Sequence, residues 1–399
     1  MMSRKWLKFV EWPMLSGGNH EELTAMRYRS FGKTGLPLSV FSLGTMRCLQ
    51  SESMMARTVQ TAIAAGINHI ETARDYGQSE LYLGKVLKQI PREKYYLTSK
   101  ICPTATAQAM TAAIDQSLQR LEVDYLDNLA LHGLNTEQHF QLITDSTGCW
   151  AAIEQAIKQG KIKHIGFSTH APLELILKLI NTDKFEFINL HYYYFFQRHA
   201  PAIALADQKN LGIFIISPAD KGGQLYTPPE RLQQLCSPFT PLALNYRFLL
   251  SDRRITTLSV GPACPQELTE PLQMADQDHP LTSLEISIFE RLEQQLEQNL
   301  GSDRCHQCYQ CLPCPENINI PEILRLRNLA IAYDMTTFSQ YRYQMFEQAG
   351  HWFPGRRGDR CSDCGDCLPR CPHHLNIPDL LRDSHNRLKG SPRRRLWEN

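Results

Sequence analysis

Two cysteine runs in the last quarter of the chain constrain its folding more than any other feature. They read Cys305, Cys308, Cys311, Cys314, Pro315 and Cys361, Cys364, Cys367, Cys371, Pro372. The spacing of the second, C-x2-C-x2-C-x3-C-P, is that of a bacterial-type 4Fe-4S ligand run, and the first is one residue shorter. Three thiolates at every third position can wrap one cubane, while the fourth cysteine of such a run, before proline, reaches the other cluster. The expectation is therefore two 4Fe-4S clusters, one on Cys305, Cys308, Cys311 and Cys371, the other on Cys361, Cys364, Cys367 and Cys314. Two zinc ions, each on four thiolates, are the alternative. Zinc ribbons, however, use C-x2-C pairs rather than runs of four closed by proline. Disulfides need an oxidising compartment, and nothing in the chain points to one.

The runs sit inside an internal repeat. After each Cys-Pro the chain continues Glu316-Asn-Ile-Asn-Ile-Pro-Glu-Ile-Leu-Arg325 and His373-His-Leu-Asn-Ile-Pro-Asp-Leu-Leu-Arg382. Asn319 and Asn376 are candidate helix N-caps, and Pro321 and Pro378 suit a first helical turn, each followed by an acid that suits the helix dipole. Each repeat reads as a ligand loop feeding a helix. Mostly helical sequence, about 323–347, separates them, which is similar to an α-helical ferredoxin rather than the compact β-α-β kind.

A chain of 399 residues suits a large domain plus a smaller one. A net charge of +1 implies no general attraction to nucleic acid. No apolar run reaches the roughly 18–20 residues that span a bilayer, and the N-terminus lacks the apolar core and cleavage site of a signal peptide. The expected location is cytoplasmic. Outside the two runs, Cys48, Cys102, Cys149, Cys236 and Cys264 are scattered and read as packing residues.

Residues 1–25 show no clear periodicity and read as an N-terminal extension. From Val40 short apolar runs alternate with amphipathic stretches. Strands are expected at 40–45, 69–73, 95–99, 126–131, 164–168, 187–192, 212–216 and 257–260. Helices are expected at 55–65, 80–89, 107–121, 151–159, 173–180, 202–209 and 240–250. Eight such units favour a closed (β/α)8 barrel over residues 26–298, with the small helical iron–sulfur domain over 299–399. No G-x-G-x-x-G follows the first strand, which disfavours the open dinucleotide-binding sheet.

Catalytic groups of such a barrel gather at the C-terminal ends of its strands. Glu71 lies there on the second strand, Tyr76 in the loop after it, Lys100 on the third strand and His132 on the fourth. An ammonium beside a tyrosine favours its phenolate; an acid beside the lysine holds it charged; a histidine can position a carbonyl oxygen. Together they can protonate an alkoxide as hydride arrives at carbon. Taken singly, each has an ordinary structural role open to it; it is their convergence on consecutive strand ends that carries weight.

Residues 26–275 resemble the aldo/keto reductases. The resemblance lies in Glu71-Thr-Ala-Arg-Asp-Tyr76-Gly, in Tyr96-Leu-Thr-Ser-Lys100, in the run from Asp124 to His132, and in Gly160-Lys-Ile-Lys-His-Ile-Gly-Phe-Ser168-Thr-His170. The whole chain resembles the bacterial branch that carries a C-terminal ferredoxin-like domain. This implies carbonyl reduction with NADPH or NADH, Tyr76 as proton donor, Lys100 and an acid as its tuners, and His132 at the substrate. It further implies nicotinamide contacts from Ser168, Thr169, Asn189 and Ser217. The chain departs from the family pattern at several positions, among them Thr169, where Asn is common, and Asn189, where Gln is. Glu71 replaces an Asp, Ile216 stands where an aromatic residue often stacks on the nicotinamide, and Glu267 lies where 2′-phosphate contacts are usual, so NADP and NAD both stay open. Two functions follow. One is a carbonyl/alcohol oxidoreductase acting on a small substrate, with a possible electron-carrier protein as partner. The other is an iron–sulfur electron-transfer or redox-sensing protein whose barrel no longer turns over.

Overall fold

The computed structural model describes residues 25–390, so the expected extension lies outside the described residues except for Ala25. At the start of the described chain, β1 (Tyr28–Ser30) and β2 (Pro37–Ser39) form a short antiparallel hairpin. From its turn Phe31 is fully buried among Leu38, Ala130, Phe187 and Phe214, with its ring 5.1 Å from that of Phe187. Phe187 begins one barrel strand, so the hairpin plugs the N-terminal end of the barrel.

The eight apolar runs pair side by side and in parallel. They are β3 (Phe41–Gly44), β4 (His69–Glu71), β5 (Tyr96–Ile101), β6 (Leu126–Leu131), β7 (Ile162–Ser168), β8 (Phe187–Leu190), β9 (Gly212–Ile215) and β10 (Thr257–Val260). β10 closes on β3, and all residues of β6 and β8 are buried. Strands flanked by crossover helices are covered outside and packed inside, which is why they read as continuous apolar runs. Inside the barrel one polar layer interrupts the apolar filling. Ser42 Oγ lies 2.6 Å from His69 Nδ1 and 2.7 Å from Thr257 Oγ1, and His69 Nε2 lies 2.7 Å from Thr98 Oγ1. Burial pulls the His69 imidazole down to about 4, so it is neutral and fully hydrogen-bonded. Side chains two residues apart on a strand share a face. The next layer up therefore comes from Gly44, Glu71, Lys100 and Ser259.

Four helices were not expected from the sequence: Glu137–Thr144, Glu230–Cys236, Thr269–Gln273 and Ser283–Leu300. The last starts with a capping box, in which Thr282 and Glu285 satisfy each other's backbone N–H. It carries the chain past residue 298, and Gly301 follows.

The C-terminal region holds the helices Ile320–Tyr333, Thr336–Gln344 and Ile377–Leu388. The repeat is visible in the backbone. Asn319 and Asn376 occupy matching N-cap positions, with φ/ψ of −80/71° and −76/75°. Neither side chain caps its helix, contrary to expectation. Asn319 Nδ2 donates to Pro354 O (3.2 Å), and Asn376 is bonded to Asp379. The prolines fit because the amide each lacks is one a helix start leaves unpaired anyway.

This region packs on the C-terminal face of the barrel, sharing one apolar core with it. Tyr333 Oη donates to Leu292 O (2.8 Å) and Arg325 Nη1 to Phe195 O (3.0 Å), while Glu322 grips the Arg325 guanidinium at 2.9 and 2.7 Å. Among the described residues, no helix is long and apolar enough to cross a membrane.

Candidate active site and cysteine-rich centre

At the barrel mouth Lys100 is 1 % exposed and its Nζ is ion-paired to Glu71. The same ammonium donates to Thr72 O (2.9 Å) and to Tyr76 Oη (3.4 Å). Ser259 Oγ, from β10, donates to the other oxygen of Glu71 (2.8 Å). Glu71, one methylene longer than the family's acid, fits because Gly44 faces it. A Cβ on Gly44 would stand 2.6 Å from Ser259 Oγ and 3.1 Å from Glu71 Oε1. Burial lowers Lys100, but Glu71 and Tyr76 more than offset this and hold it above the ordinary lysine range.

Tyr76 differs from the sequence expectation. Lys100 does favour its phenolate, but burial disfavours that anion more strongly, and its pKa is raised. The resting hydroxyl is therefore a protonated donor. His132, placed by the end of β6, lies with its ring edge-on to Tyr76 at 5.7 Å. Burial lowers its pKa, against the pull of Asp75, so the imidazole is neutral at neutral pH.

Of the expected nicotinamide contacts, Ser168 and Ser217 line the mouth, and Thr169 and Asn189 do not. Ser168 Oγ accepts from Gly133 N (3.1 Å), and Thr169 Oγ1 donates to Leu134 O (2.7 Å), shaping the loop instead. Asn189 is fully buried, and neither amide atom has a hydrogen-bond partner. Glu267 is not a bare charge: Arg47 clasps it at 2.7 and 3.2 Å, and Ala263 N donates to it at 3.0 Å.

Sequence reasoning missed the roof of this site. The C-terminal region lays Arg342, Met345, His351 and Trp352 over a mouth cavity of about 330 Å³. The Trp352 ring sits 5.0 Å from that of His132 and 5.5 Å from that of His170. It packs on Gly133, where a Cβ would meet the indole at 2.5 Å and where φ is +69°, so only glycine suits the position. Asn135 Nδ2 is 3.0 Å from His351 Nδ1. Behind Trp352 lies a second cavity of about 890 Å³, reaching from His170 and His191 to Cys308 and Cys314. His170, Lys221, Arg342 and Trp352 face both spaces. Burial first, and Arg342 second, pull Lys221 down to about 8.

The cysteines divide across the two runs. Cys314 lines one small hollow with Cys361, Cys364 and Cys367. Burial raises the Cys305 thiol, and its neighbours Cys308 and Cys371 raise it further; burial likewise pushes Cys311 up to about 12, with Cys305 and Cys308 adding to it. No disulfide links any of the described cysteines. Four thiolates on one zinc at 2.3 Å would stand about 4 Å from one another. Among the described residues no three of these cysteines bring their sulfurs within 4.8 Å of one another.

The aldo/keto reductase family profile matches residues 41–293. The chain belongs to the aldo/keto reductase family. A 4Fe-4S dicluster domain profile matches residues 304–376 of this reductase, so an iron–sulfur-type domain follows its barrel. L-galactose dehydrogenase of Arabidopsis thaliana is 26% identical over 285 residues, covering 62% of this chain and 88% of that protein. The NAD/NADP-dependent indole-3-acetaldehyde reductase of Schizosaccharomyces pombe is 32% identical over 151 residues, 36% of this chain and 51% of that protein. The holo form of an aldo-keto reductase from Bacillus halodurans superposes with a TM-score of 0.59 at 22% identity, covering 67% of this chain and 96% of its own, a likeness of fold.

Proposed function

We propose that this aldo/keto reductase interconverts a small carbonyl compound and its alcohol with NADPH or NADH, and that it belongs to the bacterial branch carrying two 4Fe-4S clusters. The observation that carries the catalytic reading is the chain of buried Ser259, Glu71 and Lys100 at the barrel mouth, ending on the half-buried Tyr76, whose hydroxyl faces a cavity. A bound reduced nicotinamide supplies the hydride. Tyr76 holds the proton at Oη and gives it to the oxygen of the carbonyl being reduced; in the reverse direction the same oxygen takes it back. Lys100 stabilises the phenolate left behind, and Glu71 keeps Lys100 charged. His132, neutral, orients the carbonyl oxygen. Trp352 excludes water from the far side. Positioned donation of this kind is worth roughly 10²–10⁴-fold, about 3–5 kcal/mol of transition-state stabilisation.

The two cluster sites are assigned as the sequence spacing suggested, Cys305, Cys308, Cys311 and Cys371 for one and Cys361, Cys364, Cys367 and Cys314 for the other. The grouping of Cys314 with the second run and of Cys371 with Cys305 supports this. Clusters held there supply one-electron transfer. Titration with NADPH and NADH, followed by a carbonyl panel, tests the proposal. Binding with turnover supports the reductase; no binding by a protein with both clusters intact supports an electron-transfer or sensing role for the same fold.

A further inference from the structure

Asp75 and Cys102 have no part in the proposed hydride chemistry, yet both stand beside His132, which has one. Asp75 lies in the loop after β4, Cys102 just past β5 and His132 just past β6, so three adjacent strands carry them to one point. We propose that Asp75, Cys102 and His132 form a binding site for a thiophilic divalent cation of the zinc class. The site is separate from the cluster cysteines.

The geometry is close to assembled. One ligand atom from each residue lies within 4.8 Å of the other two, the only such trio of His, Cys, Asp or Glu among the described residues. Cys102 Sγ is 3.2 Å from Asp75 Oδ2, and His132 Nδ1 is 3.8 Å from the same oxygen. Tetrahedral zinc, with Zn–S about 2.3 Å and Zn–N or Zn–O about 2.0–2.1 Å, needs edges of roughly 3.3–3.6 Å. The two observed edges fall on either side of that range. Adjusting these two edges asks for shifts of a few tenths of an ångström, and the third, between Cys102 and His132, lies within 4.8 Å.

A second observation points into the site. His132 is 8 % exposed, and its Nδ1 is buried without a hydrogen-bond partner. A buried ring nitrogen is costly to leave unpaired, and a cation at the trio would satisfy it. The charges also balance. A carboxylate and a thiolate neutralise a dication, while the nearby Lys100 already has its charge met by Glu71. One sulfur, one imidazole nitrogen and one carboxylate oxygen favour zinc-type ions over magnesium or calcium, which seek all-oxygen shells. On binding, the Cys102 thiol gives its proton to solvent as the metal–sulfur bond forms, and no electron changes hands. Three protein ligands leave a fourth position, which opens into the cavity lined by Tyr76, Lys100 and Trp352. Such an ion would occupy the space beside His132 at the barrel mouth.

The test uses the whole protein with its clusters loaded, dialysed against zinc chloride, and does not depend on carbonyl turnover. The expected result is about one zinc per chain, with an X-ray absorption spectrum at the zinc edge showing one sulfur at about 2.3 Å and lighter atoms otherwise. Cys102→Ala and Asp75→Asn, on separate loops, should each weaken zinc binding about tenfold or more while iron content stays unchanged. Zinc held equally well by both variants, no zinc retained, or a shell of several sulfurs would overturn the proposal.

Discussion

The mouth of the barrel and the cysteine-rich region each hold a few reactive side chains in place, but by different means. Glu71 and Lys100 stand on strands paired on both sides, above the hydrogen-bonded layer of Ser42, His69, Thr98 and Thr257. Their positions are fixed by backbone ladders and need no bound group. Cys305, Cys308, Cys361 and Cys364 stand instead on loops without regular structure, and Cys308 and Cys364 are exposed. There, on the proposed assignment, thiolate–metal bonds would supply the order that hydrogen bonds supply in the barrel.

The largest expected effect breaks this comparison directly. Removing iron with a chelator under anaerobic conditions should disorder the region after Gly301, since structural metal sites contribute on the order of 10 kcal/mol to small domains that depend on them. The barrel should remain folded and unfold in its own transition. Far-UV circular dichroism with thermal melts checks this. Loss of both parts in a single transition would show that the barrel depends on the domain lying on it.

A smaller effect concerns Lys100. Alcohol oxidation needs the Tyr76 phenolate as base. Burial already raises that pKa, and Lys100 is the main group pulling it back. Lys100→Met should therefore move the rise of oxidation rate to higher pH, whereas reduction, which needs the protonated hydroxyl, should lose rate without moving in that direction. A pH profile of kcat in both directions checks this. Glu71→Gln should slow turnover in both directions by leaving Lys100 without its partner, and Glu71→Asp should retain much of the activity.

How far such expectations could be read in advance differed between the two regions. Leu126–Leu131 and Thr257–Val260 are strands over the expected residues, because a strand covered on both faces leaves an uninterrupted apolar run. Glu71, Tyr76, Lys100 and His132 meet at one mouth because barrel connectivity turns strand order into proximity. The roof left no such trace. Trp352 and Gly133 touch across more than two hundred residues, and no local pattern announces that contact. The raised Tyr76 pKa was missed for a related reason: the spacing of Lys100 was legible, but burial depends on how the folded chain covers the mouth. Thr169 lies outside the mouth cavity, its hydroxyl turned to Leu134 O, because a matching position in a motif does not say where the side chain's hydrogen bonds go. The helix Ser283–Leu300 could have been found, since Thr282 and Glu285 have the capping-box spacing.

The smallest effect sharpens the link between the two regions. Trp352→Ala should leave iron content and nucleotide affinity near wild type and raise KM for the carbonyl by about tenfold, the scale of one lost apolar wall in a pocket. Steady-state kinetics with iron analysis checks it. An unchanged KM would mean that the roof does not reach the substrate.

The hydroxyl of Tyr76 is the group on which the proposed chemistry depends most directly. Single-turnover reduction of a carbonyl by the nucleotide-loaded protein should be roughly 10²–10⁴-fold slower in Tyr76→Phe than in wild type, with nucleotide affinity nearly unchanged. Equal rates for the two proteins would contradict the proposed chemistry, even with the barrel and both cysteine groups as described.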